Sequence, residues 1–318
     1  MDGEDGSGRS SESGVTKVHE PNAWRSDRML GTTVVETVAE AAGVTPADIE
    51  VPLYDVIDPD ALDALFAPRP DGRDRTAGTV SFALHGHYVT VSADGVVEVE
   101  SELARIKQTG GNLLLTGLVP DRVVDAVSVQ LLGRDDPDRT QVVALHDRNV
   151  TTANRRLSGV GTASNGGYVL NFSAEARSAV SGTPDASAST DRRVTEVVGD
   201  LFDFQREIDR TLRKIDYERR GMDPAELRFC FDSLRPVVDE HGEGDAKQFL
   251  EDCFDTVEDL SGVAHYVLPA ERNTPEVAAI EPLFDATVEL RVGEIGPEQR
   301  WHLPDTEFTT DWFGLELE

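Results

Sequence analysis

Lysine is nearly missing from this chain. Of its 30 basic residues only four are lysines, Lys17, Lys107, Lys214 and Lys247. Acidic residues number 60, so the formal charge is −30. Repulsion of that size strains a compact state in dilute salt. In molar salt the screening length shrinks to about 3 Å and most of the repulsion disappears. Excess carboxylate with so little lysine therefore reads as a cytoplasmic protein of a salt-in halophile. No basic stripe interleaved with aromatics tracks a phosphate backbone, so nucleic acid is not an expected partner. Two cysteines, Cys230 and Cys253, are too few for a disulfide framework or a zinc module. No apolar run reaches the roughly 18 to 20 residues that span a bilayer, and no membrane association is expected. The opening "MDGEDGSGRSSESG" lacks the apolar core of a signal peptide. A Gly-x-Ser-x-Gly elbow is missing too, which removes the usual support for serine hydrolysis.

What is present divides in two. Residues 1–28 are polar and rich in Gly and Ser, and read as a disordered acidic tail. A helix follows from Gly31, with Val34, Val35, Val38, Ala41 and Ala42 on one face and Gly43 as its stop. Asp58-Pro59-Asp60 caps a second short helix whose apolar face is Leu62, Leu65 and Phe66. The period then changes to two. "TVSFALHGHYVTVSADGVVEVE" predicts a meander of strands at about 79–85, 87–92 and 96–99. Residues 29–100 thus form a small α+β module, and 101–109 a linker.

From Gly110 to the end, strands alternate with helices. "NLLLTG", "QVVALH", "YVLNFS", "LRFCFDS" and "GVAHYVLP" read as apolar strands, and "ATVELRVGE", "QRWHLPD" and "WFGLEL" as closing ones. Helices are expected at "DRVVDAVSVQLL", about 152–158, 194–216 and 275–282, and at "DAKQFLEDCFDTVEDL". Residues 174–193 are small and polar, and read as a flexible surface loop. Continuous apolar strands alternating with helices imply an α/β fold with a mostly parallel sheet covered on both faces.

Two stretches carry family resemblances. "PLYDVIDPDALDALF" followed by "GTVSFALHGHYVTVSADGVVEV" resembles the haloarchaeal output domain, HalOD. That resemblance implies a signalling output module and no catalysis. "GNLLLTG", "LRFCFDSL" and "GVAHYVLP…EVAAIEPLFDATVEL" are similar to haloarchaeal proteins that look like degenerate members of the RecA/KaiC-like ATPase fold. The second resemblance implies a nucleotide-binding ancestry for residues 110–318.

Whether a nucleotide still binds turns on one loop. An active phosphate loop reads G-x-x-x-x-G-K-[ST], its backbone N–H groups and lysine gripping the phosphates. Here the stretch is Gly117-Leu118-Val119-Pro120-Asp121-Arg122, and no lysine occurs between Lys107 and Lys214. Pro120 has no N–H to donate. Asp121 is placed to cap the following helix, where its charge favours folding and opposes a triphosphate. Asp232, with Ser233 beside it, stands where a magnesium-site carboxylate would stand in the ancestral fold. It either holds a metal-bound nucleotide or merely caps the turn leaving a buried strand, and the broken loop favours the cap.

The remaining candidates have plainer readings. His146-Asp147 and Asn171 to Ser173 lie at strand ends, where a base that activates water would sit, but without a phosphate grip they have nothing to act on. His85 and His87 flank Gly86, yet two ligands do not make a metal site. His265 reads as a buried strand residue, and Cys230 and Cys253 as packing residues. "RTLRKIDYERR" is the most basic patch, a dock for an acidic partner or a solvated helix end. The reading is a non-catalytic regulatory protein acting through a protein partner, with no catalytic residue, metal or cofactor. The alternative is a regulator that binds ATP or another nucleotide weakly, with Asp232 and Ser233 at the site.

Overall fold

The computed structural model describes residues 15–19, 29–67, 77–133, 138–161, 167–172 and 193–316. The chain divides into two compact units, Met1–Arg105 with Asp305–Phe308, and Ile106–Pro304 with Thr309–Glu318.

The first unit holds strand β1 (Val15–His19), helices α1 (Leu30–Ala42), α2 (Leu53–Val56) and α3 (Pro59–Phe66), and strands β2 (Thr79–Leu84), β3 (His87–Ser92) and β4 (Val96–Ser101). Leu30, Val34 and Val38 recur every fourth residue of α1 and are fully buried. Gly43 ends that helix in the left-handed region at φ 71°. The Asp58 side chain accepts from the amides of Asp60 and Ala61, and Pro59 opens α3, as the sequence predicts. The strands form an antiparallel sheet in the order β1-β4-β3-β2. Val89, Val91, Val97 and Val99 alternate inward and meet Leu62, Phe66 and Leu84. His85 and Gly86, at φ 50° and 73°, make the two-residue turn between β2 and β3.

The expected acidic tail lies outside the described residues except for Val15–His19. That stretch pairs antiparallel with β4, from Val15 opposite Glu100 to His19 opposite Val96, and so covers an edge that the three-strand meander would leave open. In place of the expected linker, Glu102–Thr109 forms helix α4.

The second unit alternates as predicted: β5 (Gly111–Thr116), α5 (Asp121–Leu132), β6 (Thr140–His146), α6 (Val150–Gly159), β7 (Tyr168–Phe172), β8 (Arg193–Val197), α7 (Leu201–Arg219), β9 (Leu227–Asp232), α8 (Arg235–Asp259), β10 (Val263–Leu268), α9 (Pro275–Ile280), β11 (Ala286–Val292), β12 (Pro297–Leu303), β13 (Phe308–Thr309) and β14 (Phe313–Gly314). The sheet runs β13-β12-β11-β5-β10-β9-β6-β7-β8, with β14 also on β12. The stretch from β11 to β8 is parallel throughout, and β12 turns antiparallel at one side. Every residue of β5, β6, β9 and β10 is buried, which explains their continuous apolar runs. One face packs Phe229, Phe231 and Tyr266 under α7 and α8. Cys230 and Val143 line the other face under α5 and α6. The fold class is the expected one, a small α+β module followed by a mostly parallel α/β sheet.

Two elements differ from expectation. "RVTEV" extends beside β7 as strand β8, and the long helix begins only at Leu201. β-Branched residues favour the strand, and Asp200 starts the helix through a capping box with Asp203. Helix α8 begins at Arg235, ten residues before the predicted start, and is kinked at Gly242, where φ is 77°. Residues 173–192, covering nearly all of the predicted flexible loop, lie outside the described residues. No helix among those described is long and apolar enough to cross a membrane.

Candidate functional site

In open parallel sheets, ligands bind in the crevice beyond the carboxyl ends of the strands. At the end of β5 the turn toward α5 is tied to its neighbours on both sides. The Thr116 hydroxyl and the Gly117 amide both donate to the Ala270 carbonyl, at 2.6 and 2.7 Å. A Cβ on Gly117 would lie 2.3 Å from the Leu290 carbonyl oxygen, so the turn presses on β11. Only Gly117 to Pro120 separate the strand from α5. That is too short for the glycine-to-glycine span of a phosphate loop. Contrary to expectation, Asp121 does not cap α5. Pro120 holds the cap position, with no side-chain hydrogen bond, and Asp121 is the first helical residue. Its carboxylate lies 3.7 Å from Arg148.

Along β9, the alternation sends Arg228, Cys230 and Asp232 toward α5 and α6, and Phe229 and Phe231 toward α7 and α8. Asp232 is fully buried, and both its oxygens are taken. Arg156 Nη2 donates to Oδ2 at 2.6 Å, and Arg148 Nε to Oδ1 at 3.1 Å. The same Arg156 guanidinium donates from Nε to Asp125 Oδ1 at 2.9 Å and from Nη1 to Cys230 Sγ at 3.2 Å. Arg155 closes the network on Asp125 Oδ2 at 2.5 Å. Burial by itself would lower the Arg156 pKa, but Cys230, Asp232 and Asp125 around it hold it above the usual arginine value. Burial pushes the Cys230 thiol up to about 11.

Three arginines thus face three aspartates, Arg148 lying between Asp121 and Asp232, and the guanidinium of Arg156 sits directly against Asp232. Ser233 is also committed. Its hydroxyl accepts from the Arg235 amide at 3.1 Å, and its amide donates to the His146 carbonyl at 3.4 Å. The peptide bond between Asp232 and Ser233 is cis. Sequence reasoning reached Asp232 and Ser233 but missed Arg148, Arg156 and Asp125. A signal for Arg156 exists. It shares the buried face of α6 with Thr152, Ala153 and Leu157, an apolar position for a charged residue.

The other candidates fall apart from this cluster. The His146 ring packs edge-on against Phe172, centroids 5.0 Å apart, and also faces Phe204. Burial lowers its pKa to about 4, and its Nδ1 finds no hydrogen-bond partner. A neutral ring in an aromatic core is not a solvent-facing base. His265 is pulled down to about 3, by burial first and then by Arg156 and Arg228. Asn171 donates to Glu196 at 2.7 Å, and Ser173 lies outside the described residues. His87 Nδ1 pairs with the His85 carbonyl at 2.7 Å, while the His85 ring sits over Phe308. Among the described residues no cluster of three or more His, Cys, Asp or Glu is placed to hold a metal. The basic end of α7 is laced with carboxylates. Arg206 pairs with Asp203, Arg210 with Glu207, Arg213 with Asp209 and Asp259, and Lys214 with Glu218.

Comparison with known proteins adds the following. Residues 110–290 match a family of unknown function, DUF7504. Residues 26–101 match Halobacterial output domain 1. No curated protein matches the chain. Among solved structures, a KaiC-like protein from the hyperthermophilic archaeon Pyrococcus horikoshii is similar at 12% identity and a TM-score of 0.41, over 65% of this chain and 83% of that one.

Proposed function

The chain belongs to the family of unknown function DUF7504, and from that premise we propose a regulatory protein that acts by protein–protein contact, its larger unit a sheet scaffold that binds no nucleotide and catalyses no reaction. The match of residues 26–101 to a halobacterial output domain supports a signalling role for the smaller unit. One observation carries the silence of the larger unit. Asp232, the carboxylate that would hold magnesium, is buried and bonded through both oxygens to Arg156 and Arg148. A metal-bound nucleotide would have to break a buried ion pair to reach it, at a cost of several kcal/mol. The closed turn at Gly117 offers no compensating phosphate grip.

Calorimetry with magnesium-ATP in molar KCl tests the reading, and no heat of binding is expected. A micromolar affinity that disappears in Asp232→Asn would overturn it in favour of the nucleotide-responsive alternative.

A further inference from the structure

Thr309, His302 and Glu289 form a chain of hydrogen bonds across β13, β12 and β11, and all three belong to the larger unit. Directly opposite residues of paired strands share a face. Glu289 stands opposite Arg300 and Thr287 opposite His302, so Glu289, Arg300 and His302 point the same way. His302 Nε2 lies 2.8 Å from Glu289 Oε2, and Arg300 Nε donates to the same oxygen at 2.8 Å. The other ring nitrogen, Nδ1, lies 3.1 Å from the Thr309 hydroxyl.

The protons on this chain follow from its partners. Burial alone would raise the Glu289 pKa, but the bonds from Arg300 and His302 hold it below the usual carboxylate value. An ionised carboxylate only accepts, so Nε2 carries the ring proton. Burial first, with Arg272 and Arg300 adding to it, keeps the His302 pKa below its ordinary 6.5 against the pull of Glu289. The ring is therefore neutral at pH 7, and its bare Nδ1 accepts from the Thr309 O–H. A neutral imidazole steadied by a carboxylate and accepting from a hydroxyl is the arrangement that activates an oxygen nucleophile.

The neighbouring hydroxyl is bonded quite differently. Thr310 Oγ1 accepts from the Trp301 amide at 2.9 Å and donates to the Asp311 carbonyl at 3.0 Å, while the Thr310 amide donates to the Trp301 carbonyl at 2.9 Å. Those bonds fix β13 against β12 with Thr309 at the ring. Thr309 is exposed and His302 is buried, so a reagent reaches the hydroxyl from solvent while the base stays shielded. Arg300 stacks over Trp312 at 4.5 Å, and Arg291 over the same ring at 3.9 Å. Two cations and an aromatic ring beside the relay suit a group that departs as an anion.

We propose that Thr309 is an acylation site, with His302 as its base and Glu289 as the group that orients the base, and that it takes an acyl group from an activated ester whose leaving group is anionic. Thr309 Oγ attacks the carbonyl carbon and its proton passes to His302 Nδ1. The bond from that carbon to the leaving group then breaks, the leaving group departs as an anion, and the ring returns its proton to solvent. The products are an acyl-threonine ester and the released anion. Each chain is modified once and turns nothing over, so the site goes beyond the scaffold reading without depending on it.

The probe is p-nitrophenyl acetate, given to the full chain in molar KCl at pH 7. Peptide mass spectrometry should place a hydroxylamine-labile acetyl group on Thr309 and none on Thr310. Thr309→Val should remove that label, and His302→Gln should slow its formation about 100-fold. An unlabelled Thr309, equal labelling of Thr310, or an unchanged rate in His302→Gln overturns the proposal. Nitrogen NMR of the imidazole rings reads the unaltered protein, where no folding defect intervenes. A proton on His302 Nε2 is expected there, and a proton on Nδ1 would overturn the relay. An unlabelled Thr309 beside a silent ATP titration would remove the acylation site and leave the scaffold reading intact.

Discussion

Arg156 Nη2 lies 2.6 Å from Asp232 Oδ2, and the two side chains are 1% and 0% exposed. Burying both charges removes two hydration shells. The loss is offset because each group is bonded more than once: Arg156 also reaches Asp125 and Cys230, and Asp232 also accepts from Arg148. The pair therefore ties α6 to β9, and through Asp125 to α5.

Removing Arg156 leaves Asp232 and Asp125 each with one oxygen that has lost its donor, Asp232 fully buried and held by Arg148 alone. Arg156→Met should cost about 3–5 kcal/mol of stability, measured by urea unfolding in molar KCl. Arg156→Met/Asp232→Asn should be less damaging than Arg156→Met alone, because one of the two under-bonded carboxylates is then neutral. A loss below about 1 kcal/mol for Arg156→Met would mean that the network does not hold the fold.

Gly117→Ala should be destabilising by about 1–3 kcal/mol, since its Cβ would meet a backbone oxygen that cannot move without parting β5 from β11. Gly43→Ala is the control. Gly43 also has positive φ, 71°, but nothing lies within 4 Å of an added Cβ, so only the left-handed backbone term of about 1–2 kcal/mol applies. Both are read from thermal unfolding. A smaller loss at Gly117 than at Gly43 would contradict the closed turn.

How much of this was readable beforehand depends on the range of each interaction. Period and capping are local, so α1, α3 and the β2–β3 turn were legible from Val34, Val38, Asp58, Pro59 and Gly86. The covered sheet was legible from unbroken runs such as "LRFCFD". The stretch "RVTEV" was misread because Val194, Val197 and Val198 also suit a helical stripe. Pairing with β7 and the cap at Asp200 decide for a strand. The lack of lysine after β5 was visible, but the bonds from that turn to Ala270, 153 positions downstream of Gly117, were not. Nor was the arginine that bonds to Asp232. Arg156 and Asp232 are 76 residues apart, and no local pattern announces an ion pair between a helix and a strand so distant along the chain.

Acid should weaken the fold in a definite window. Burial lowers the pKa of His146 to about 4 and of His265 to about 3, from an ordinary value of 6.5. Between pH 6.5 and about 4 the unfolded chain takes up protons at these sites and the native chain does not. Stability that is complete above pH 6.5 is therefore lost as pH falls, by up to about 1.4 kcal/mol per pH unit for each histidine. His265→Met, which fits the apolar site without a titrating ring, should flatten the urea midpoint between pH 7 and pH 5 relative to the unaltered chain. Parallel pH profiles would show that His265 titrates normally and is not sealed in the core.

Salt should act on the two kinds of charge in opposite ways, and the balance can be worked out. Along α7 the exposed pairs Arg206–Asp203, Arg210–Glu207 and Arg213–Asp209 are screened by salt, but such pairs are worth only about 0.2–1 kcal/mol each even in dilute buffer. Against them stands a formal charge of −30, whose repulsion acts across the whole surface. Raising KCl from about 0.1 M to about 1 M cuts the screening length from roughly 10 Å to roughly 3 Å, which removes far more repulsion than attraction. The buried Arg156–Asp232 pair lies beyond the reach of that screening. The unfolding temperature should therefore rise steadily over this range, and the penalty of Arg156→Met should stay constant. A penalty that shrank with added salt would place Arg156 in contact with solvent and return Asp232 to the set of groups able to meet a metal ion.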